Sequence, residues 1–426
     1  MQSLKDLKAD RLFGEHSCNC GHKHQVKTKI VLSENALLQL PEIISQILPI
    51  GNILYITAED LEKKSKEIER VLFKTHVLNI HRLPANCRPS IETVAKFLEN
   101  SEGCRLIVGF GSGRVSGAAK YLGFIKDLPV VLITSAPSSL SYLTDISKFY
   151  NSGLPKYYVS KFPDVLIADL ALMQDCPKNL IADGFGKVLG CLVSLIDFKA
   201  AAVLQDSFIC ENVLELVRDS IEKVFSIREK LSCASLYNLE ILMESIVKIS
   251  LFKQFCGSNL YGAQNDVADI LELIDKEKKL SGELIFLAFL KILKLYDMFL
   301  TSNLTPLLMP PDYIKRFKML RELGCSLLEN FQELNKNTGA DRELGIHKLN
   351  EYRAELINEV ESAKSLGDLS IASYRRVYSD KGYSIQNYGN SSDFKTAVFL
   401  SPVINKGFTL LSFMAELGYF ENIKIK

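Results

Sequence analysis

Arg105-Leu-Ile-Val-Gly-Phe-Gly-Ser-Gly-Arg-Val-Ser-Gly-Ala-Ala-Lys120 is the stretch that decides the fold. A short apolar, β-rich run ends in Gly109, Gly111 and Gly113, and a helical pattern follows at once. Strand, glycine turn and helix in that order make the layout of a phosphate-binding turn. Glycine admits a backbone with φ > 0 and lets a diphosphate approach the main chain closely. The N–H groups that open the next helix, and its dipole, attract the phosphate charge. Gly109, Gly111, Ser112 and Gly113 are therefore the candidate nucleotide contacts.

Upstream and downstream of this turn the chain alternates short β-rich runs with helical segments. The runs are Lys27–Ser33, Asn52–Thr57, Thr75–Ile80, Arg105–Gly111, Pro129–Thr134 and Tyr157–Asp169, with helical patterns such as Glu59–Phe73 and Ser90–Asn100 between them. This alternation predicts βαβ units and a parallel sheet covered on both faces. After Asp169 the texture changes to long segments of helical period: Asn179–Ala202, Glu211–Leu231, Leu236–Phe255, Val267–Glu277, Glu283–Phe299, Pro311–Asn337 and Glu343–Ala363. Residues 379–393 read as a loop and Ser392–Leu417 as a last helix. The expected architecture is an α/β, Rossmann-like parallel-sheet domain over residues 1–169 and an all-α domain over residues 170–426.

The 426 residues are 47% hydrophobic and 24% charged, with a formal net charge of +1. Such a chain is an ordinary globular protein and offers no basic surface for nucleic acid. The N-terminus lacks the apolar core of a signal peptide, and the ten cysteines are scattered, so reduced thiols in a cytoplasm are expected. Leu284–Leu300 is the most apolar stretch, but Lys291, Lys294 and Asp297 interrupt it, so it reads as a buried helix rather than a bilayer span.

In this order and spacing the motifs resemble the sn-glycerol-1-phosphate dehydrogenases, within the superfamily of glycerol dehydrogenase, iron-containing alcohol dehydrogenase and dehydroquinate synthase. Cys18-Asn-Cys-Gly-His-Lys-His24 resembles the N-terminal signature of a bacterial branch, and Gly109–Lys120 the nucleotide turn. Asp127–Ser139 is similar to the next strand and its dinucleotide-contacting turn, which adds Ser135 and Ser138 to the cofactor candidates. Pro163–Asp169, Ala182–Gly190 and the segment from Phe394 to Leu411 match the joining segment and final helices. The resemblance implies a dehydroquinate synthase-like two-domain fold with NAD(P) bound in a cleft. It also implies a metal ion, held by one aspartate and two histidines, that polarises a substrate carbonyl.

Those three ligands are replaced by Lys187, Asn265 and Ser281. None of the six histidines lies between residues 82 and 346, so a shifted alignment does not restore the site. Gly117 and Leu140 stand where the resemblance implies aspartates, and Ala58 where it implies an acidic partner for the adenosine ribose. The expectation is a relative without the family's zinc, nickel or iron site, non-catalytic or altered in chemistry, that binds a nucleotide or a small phosphorylated metabolite. The alternative is an active NAD(P)-dependent reductase of dihydroxyacetone phosphate or a similar ketone. There the Lys187 ammonium would donate a hydrogen bond to the carbonyl oxygen; Lys187 reads equally as a bystander or as a charge replacement for the cation. Neither nucleic acid nor membrane insertion is expected, and a homodimer is an open possibility.

His16, Cys18, Cys20, His22 and His24 form the one metal-like cluster in the sequence. In an extended segment, Cys18, Cys20, His22 and His24 share a face and offer zinc donors. Spacings of i, i+2 are unusual for structural zinc, so the segment reads first as an ordered arm without metal.

Overall fold

The computed structural model describes residues 18, 20–21, 24–85, 87–99, 101–151, 154–275, 279–304, 311–324, 339–378, 392–404 and 407–421. They fall into two compact units. The first comprises Met1–Asn151, Pro155–Gly184 and Glu211–Asn259, and the second Ser152–Leu154, Phe185–Cys210 and Leu260–Lys426.

The first unit is built on strands β1 (Lys29–Ser33), β2 (Gly51–Ala58), β3 (His76–Leu83), β4 (Cys104–Gly111), β5 (Val130–Thr134) and β8 (Val165–Asp169), with β6 (Ile146–Asn151) and β7 (Leu154–Val159) forming a separate two-stranded sheet. The main sheet is parallel throughout, in the order β1-β8-β5-β4-β2-β3. Its helices are α1 (Leu40–Ile47), α2 (Glu62–Leu72), α3 (Ile91–Glu99), α4 (Gly113–Lys126) and α5 (Leu170–Gln174). Ile53 and Tyr55 of β2, Leu106, Val108 and Phe110 of β4, and Val131 and Ile133 of β5 line one face at period two. Ile43 and Ile44 of α1 and Ile68 and Leu72 of α2 join that core. Because the opposite face is buried as well, the strands read as continuous apolar runs rather than alternating ones. On α2 the pattern is one-sided, with Lys63, Lys66 and Glu67 exposed and Ser65, Ile68 and Leu72 turned inward.

Helix α6 (Lys178–Gln205) follows α5. Its length and composition would allow it to cross a membrane, but 61% of the apolar window is buried within the protein, as expected of a core helix. Helices α7 (Glu211–Ser226), α8 (Leu236–Ser250) and α9 (Phe252–Cys256) belong to the first unit. The second unit holds α10 (Ala263–Ile274), α11 (Ser281–Thr301), α12 (Tyr313–Glu322), α13 (Gly339–Tyr378), α14 (Ser392–Leu400) and α15 (Leu410–Glu416). Leu284–Leu300 is a core helix as expected: Leu284, Phe286, Phe289, Ile292, Leu293, Tyr296 and Leu300 of α11 are fully buried. Tyr374 of α13 stacks on Phe286 with ring centroids 4.1 Å apart.

Several sequence expectations need correction. The run Tyr157–Asp169 is two strands, β7 and β8, and β6 went unrecognised because Ile146–Asn151 carries Lys148 and Asn151 among its apolar residues. The continuous helix expected over Ser392–Leu417 is broken. Pro402 sits in a short 3-10 turn after α14, and α15 starts afresh at a Thr409 capping box with Ser412. The loop expected over 379–393 lies outside the described residues up to 391, as does 325–337 of the segment Pro311–Asn337.

Candidate functional site

Strands β2 and β4 are neighbours whose onward connections run in opposite directions, β2 toward β3 and β4 toward β5. The carboxyl ends of such a pair form the crevice where α/β sheets bind ligands. The glycine turn lies there. A Cβ on Gly109 would come within 2.8 Å of Ala119 Cβ, and one on Gly111 within 2.6 Å of Val115 Cγ2. These glycines therefore let α4 press onto its own strand. The left-handed backbone expected for them is not found: Gly109, Gly111 and Gly113 are absent from the positive-φ residues. Gly113 faces Ser139, whose Oγ would lie 3.2 Å from an added Cβ. Ser112 is the N-cap of α4, and its side chain makes no capping hydrogen bond, so it does not compete for the N–H groups of the first turn.

The serines of the next turn sit beside it. Ser135 N donates to Gly111 O at 3.2 Å, and Ser135, Ser138 and Ser139 are buried. Sequence reasoning missed two participants. Arg114, in the first turn of α4, donates to Asp60 at 2.5 Å and to Pro84 O at 3.0 Å. Asp60 follows Ala58 by two residues, so a carboxylate does stand past the end of β2, committed here to Arg114. The other is Lys120, which is fully buried. Its Nζ donates to Ser141 O, Thr144 O and Ile146 O at 2.6–2.9 Å. Burial pushes its pKa down to about 7, opposed by Asp145. Lys120 thus ties α4 to the segment that follows the serine turn.

In the second unit, close glycine contacts draw three elements together. An added Cβ on Gly186 of α6 would collide with Gly282 O at the start of α11. One on Gly190 would collide with Ile285 of α11 and lie 3.5 Å from Gln264 Cγ at the start of α10. Lys187, Asn265 and Ser281 each adjoin one of these contacts, and all three are half-buried. Deeper in this unit Asp197 of α6 is enclosed. Its carboxylate accepts from Tyr296 Oη at 2.7 Å, Ala263 N at 2.7 Å and Leu410 N at 2.8 Å. Burial raises its pKa to about 7, against the pull of those three donors.

The N-terminal arm departs from expectation. Cys18–Gly21 is not extended: Gly21 N donates to Cys18 O at 2.8 Å, and Gly21 takes φ +79°, which closes a turn. This turn brings Cys18, Cys20, His24 and Cys210 together, with ligand atoms all within 4.8 Å of one another. His22 lies outside the described residues. Sequence reasoning missed Cys210 because it is 186 residues from His24 along the chain.

The family model for iron-containing alcohol dehydrogenase matches residues 31–177. A glycerol-1-phosphate dehydrogenase [NAD(P)+] of Sulfurisphaera tokodaii is 26% identical over 208 residues, 46% of this chain and 58% of that protein. The chain thus spans little more than half the length of this relative. One of the bacterium Halalkalibacterium halodurans is 21% identical over 284 residues, 62% of this chain and 69% of the relative. Among solved structures, NADH-dependent butanol dehydrogenase A of Thermotoga maritima aligns with a TM-score of 0.62 at 15% identity, covering 96% of this chain and 99% of that one. Over part of its length the chain is therefore similar to glycerol-1-phosphate dehydrogenases, and its residues 31–177 fit the iron-containing alcohol dehydrogenase family model. The structural likeness shows the shared fold. The superfamily's metal is a poor match for the donors at 187, 265 and 281: an ammonium has no lone pair, and an amide and a hydroxyl are neutral, weak ligands. Among the described residues, the one group of three or more His, Cys, Asp or Glu ligand atoms that could hold a metal ion is the Cys18 group.

Proposed function

We propose that this protein has given up the metal-dependent carbonyl chemistry of its superfamily and keeps the fold as a binder of a dinucleotide or a small phosphorylated metabolite. One observation carries the reading. The glycine turn at the β2–β4 crevice is intact, with an uncapped helix start and Arg114 beside it, while Lys187, Asn265 and Ser281 offer no anionic or imidazole donor. Backbone N–H groups, the α4 dipole and a guanidinium are the groups that hold a diphosphate. They perform no chemistry on it. In this reading NAD(P) is the expected ligand class, and the protein acts by binding.

Calorimetric titration with NADH and NADPH is the direct test. Saturable binding is the expected result; absence of binding to either dinucleotide and to dihydroxyacetone phosphate overturns the proposal. Lys187 supports a second reading, because it is half-buried and adjoins the Gly186–Gly282 contact. If its ammonium polarises a ketone, NAD(P)H oxidation with dihydroxyacetone phosphate proceeds without zinc or nickel and falls steeply in Lys187→Ala. Turnover with that signature replaces the first reading by the second.

A further inference from the structure

We propose that Cys18, Cys20, His24 and Cys210 hold a structural zinc ion that pins the N-terminal arm to the start of α7. Three cysteine sulfurs and one imidazole nitrogen form a complete tetrahedral set, which leaves no open position and so marks a structural rather than a catalytic site. Zinc takes sulfur at about 2.3 Å and nitrogen at about 2.0 Å, so tetrahedral ligands stand roughly 3.5–3.8 Å apart. The observed 3.3 Å between Cys20 Sγ and His24 Nε2, and the 4.8 Å limit over all four atoms, bracket that spacing. Cys18, His24 and Cys210 are buried and Cys20 is half-buried, so the site is screened from solvent. Zinc binding would displace the three thiol protons to solvent, leaving thiolates on the ion.

The surroundings are those of an oriented metal site. His24 Nδ1 lies 3.0 Å from Phe255 O of α9, which fixes the proton on Nδ1 and leaves Nε2 as the donor toward Cys20. Asn212, in the first turn of α7, donates from Nδ2 to Cys18 Sγ at 2.9 Å, the hydrogen bond that favours a thiolate. Cys210 is bonded to Glu211, the first residue of α7, so the ion would join arm and helix through one peptide bond. Beyond the cluster the arm stays on α9: Lys27 N donates to Gln254 Oε1 at 2.6 Å, and Gln254 Nε2 to Thr28 Oγ1 at 3.3 Å.

The test is the metal content of the full chain, purified without chelator and measured by inductively coupled plasma mass spectrometry. The expected result is about one zinc per chain, falling at least tenfold in Cys20→Ser and in His24→Ala and unchanged in Lys187→Ala. Protein that holds no stoichiometric zinc even after reconstitution overturns the proposal, as does full zinc retained by Cys18→Ser/Cys20→Ser. If the variants do not fold, cobalt substitution of the unaltered chain decides. Intense visible bands with sulfur-to-cobalt charge transfer support tetrahedral thiolate ligation, and the weak spectrum of octahedral oxygen ligation refutes it.

Discussion

Lys120 and Asp197 are buried titratable groups put to opposite structural uses. The Lys120 ammonium donates to three backbone carbonyls, two of which Thr144 Oγ1 reaches as well. Lys120→Met fills the space but removes three buried hydrogen bonds, and is expected to cost about 1–3 kcal/mol in urea unfolding, with far-UV circular dichroism of the native state unchanged. Asp197 is a buried acid whose folded pKa is raised from 3.8 to about 7. Between those values the folded form holds a proton that the unfolded chain releases, so stability falls as pH rises through the window. The expected loss from Asp197 is ~4 kcal/mol. It is read as the stability difference between the protein and Asp197→Asn in chemical melts across that range. A difference that is flat with pH would show that the three donors already hold the carboxylate ionised. Neither role is visible in the sequence. Lys120 looks like the exposed end of a glycine-rich turn, and Asp197 a stray charge in an apolar helix, because burial is set by elements far away along the chain.

At the scale of elements, the sheet was legible and its glycines were misread. Apolar runs at βαβ spacing placed β1 to β5 within a few residues, because both faces of a parallel sheet demand continuous apolar sequence. The same sequence could not say whether Gly109 and Gly111 serve left-handed backbone or close packing; the structure answers packing, since Ala119 and Val115 occupy the space. On α6, Gly186 does the equivalent against α11. Gly186→Ala would drive a methyl into the Gly282 carbonyl oxygen, a backbone atom with no rotamer to escape by. A loss of about 1–3 kcal/mol is expected in thermal or urea melts, despite the gain in helix propensity. An unchanged midpoint would mean that the α6–α11 approach is softer than its geometry implies.

Across the whole molecule, the fold is shared with the solved dehydrogenases it aligns with, while positions 187, 265 and 281 carry lysine, asparagine and serine. The two-layered plan of a parallel-sheet part and a helical remainder was legible because it rests on many spaced motifs. Three members of the Cys18 group were legible as a cluster, but Cys210 was not, because it is distant in sequence and the turn at Gly21 overrode the extended reading. The retained frame invites a reverse experiment. Lys187→Asp, Asn265→His and Ser281→His, combined in a chain carrying Cys20→Ser, are expected to restore about one equivalent of zinc by mass spectrometry, with micromolar or tighter affinity. Failure to bind, in a variant shown to be folded, would mean that the three positions no longer converge closely enough for one ion. The contact between Gly186 and Gly282 explains why such a reversal is conceivable. Close backbone fit brings these helices together, so the side chains next door are released from any duty to the scaffold. Positions 187 and 281 can exchange one chemistry for another as freely as a socket accepts a different bulb.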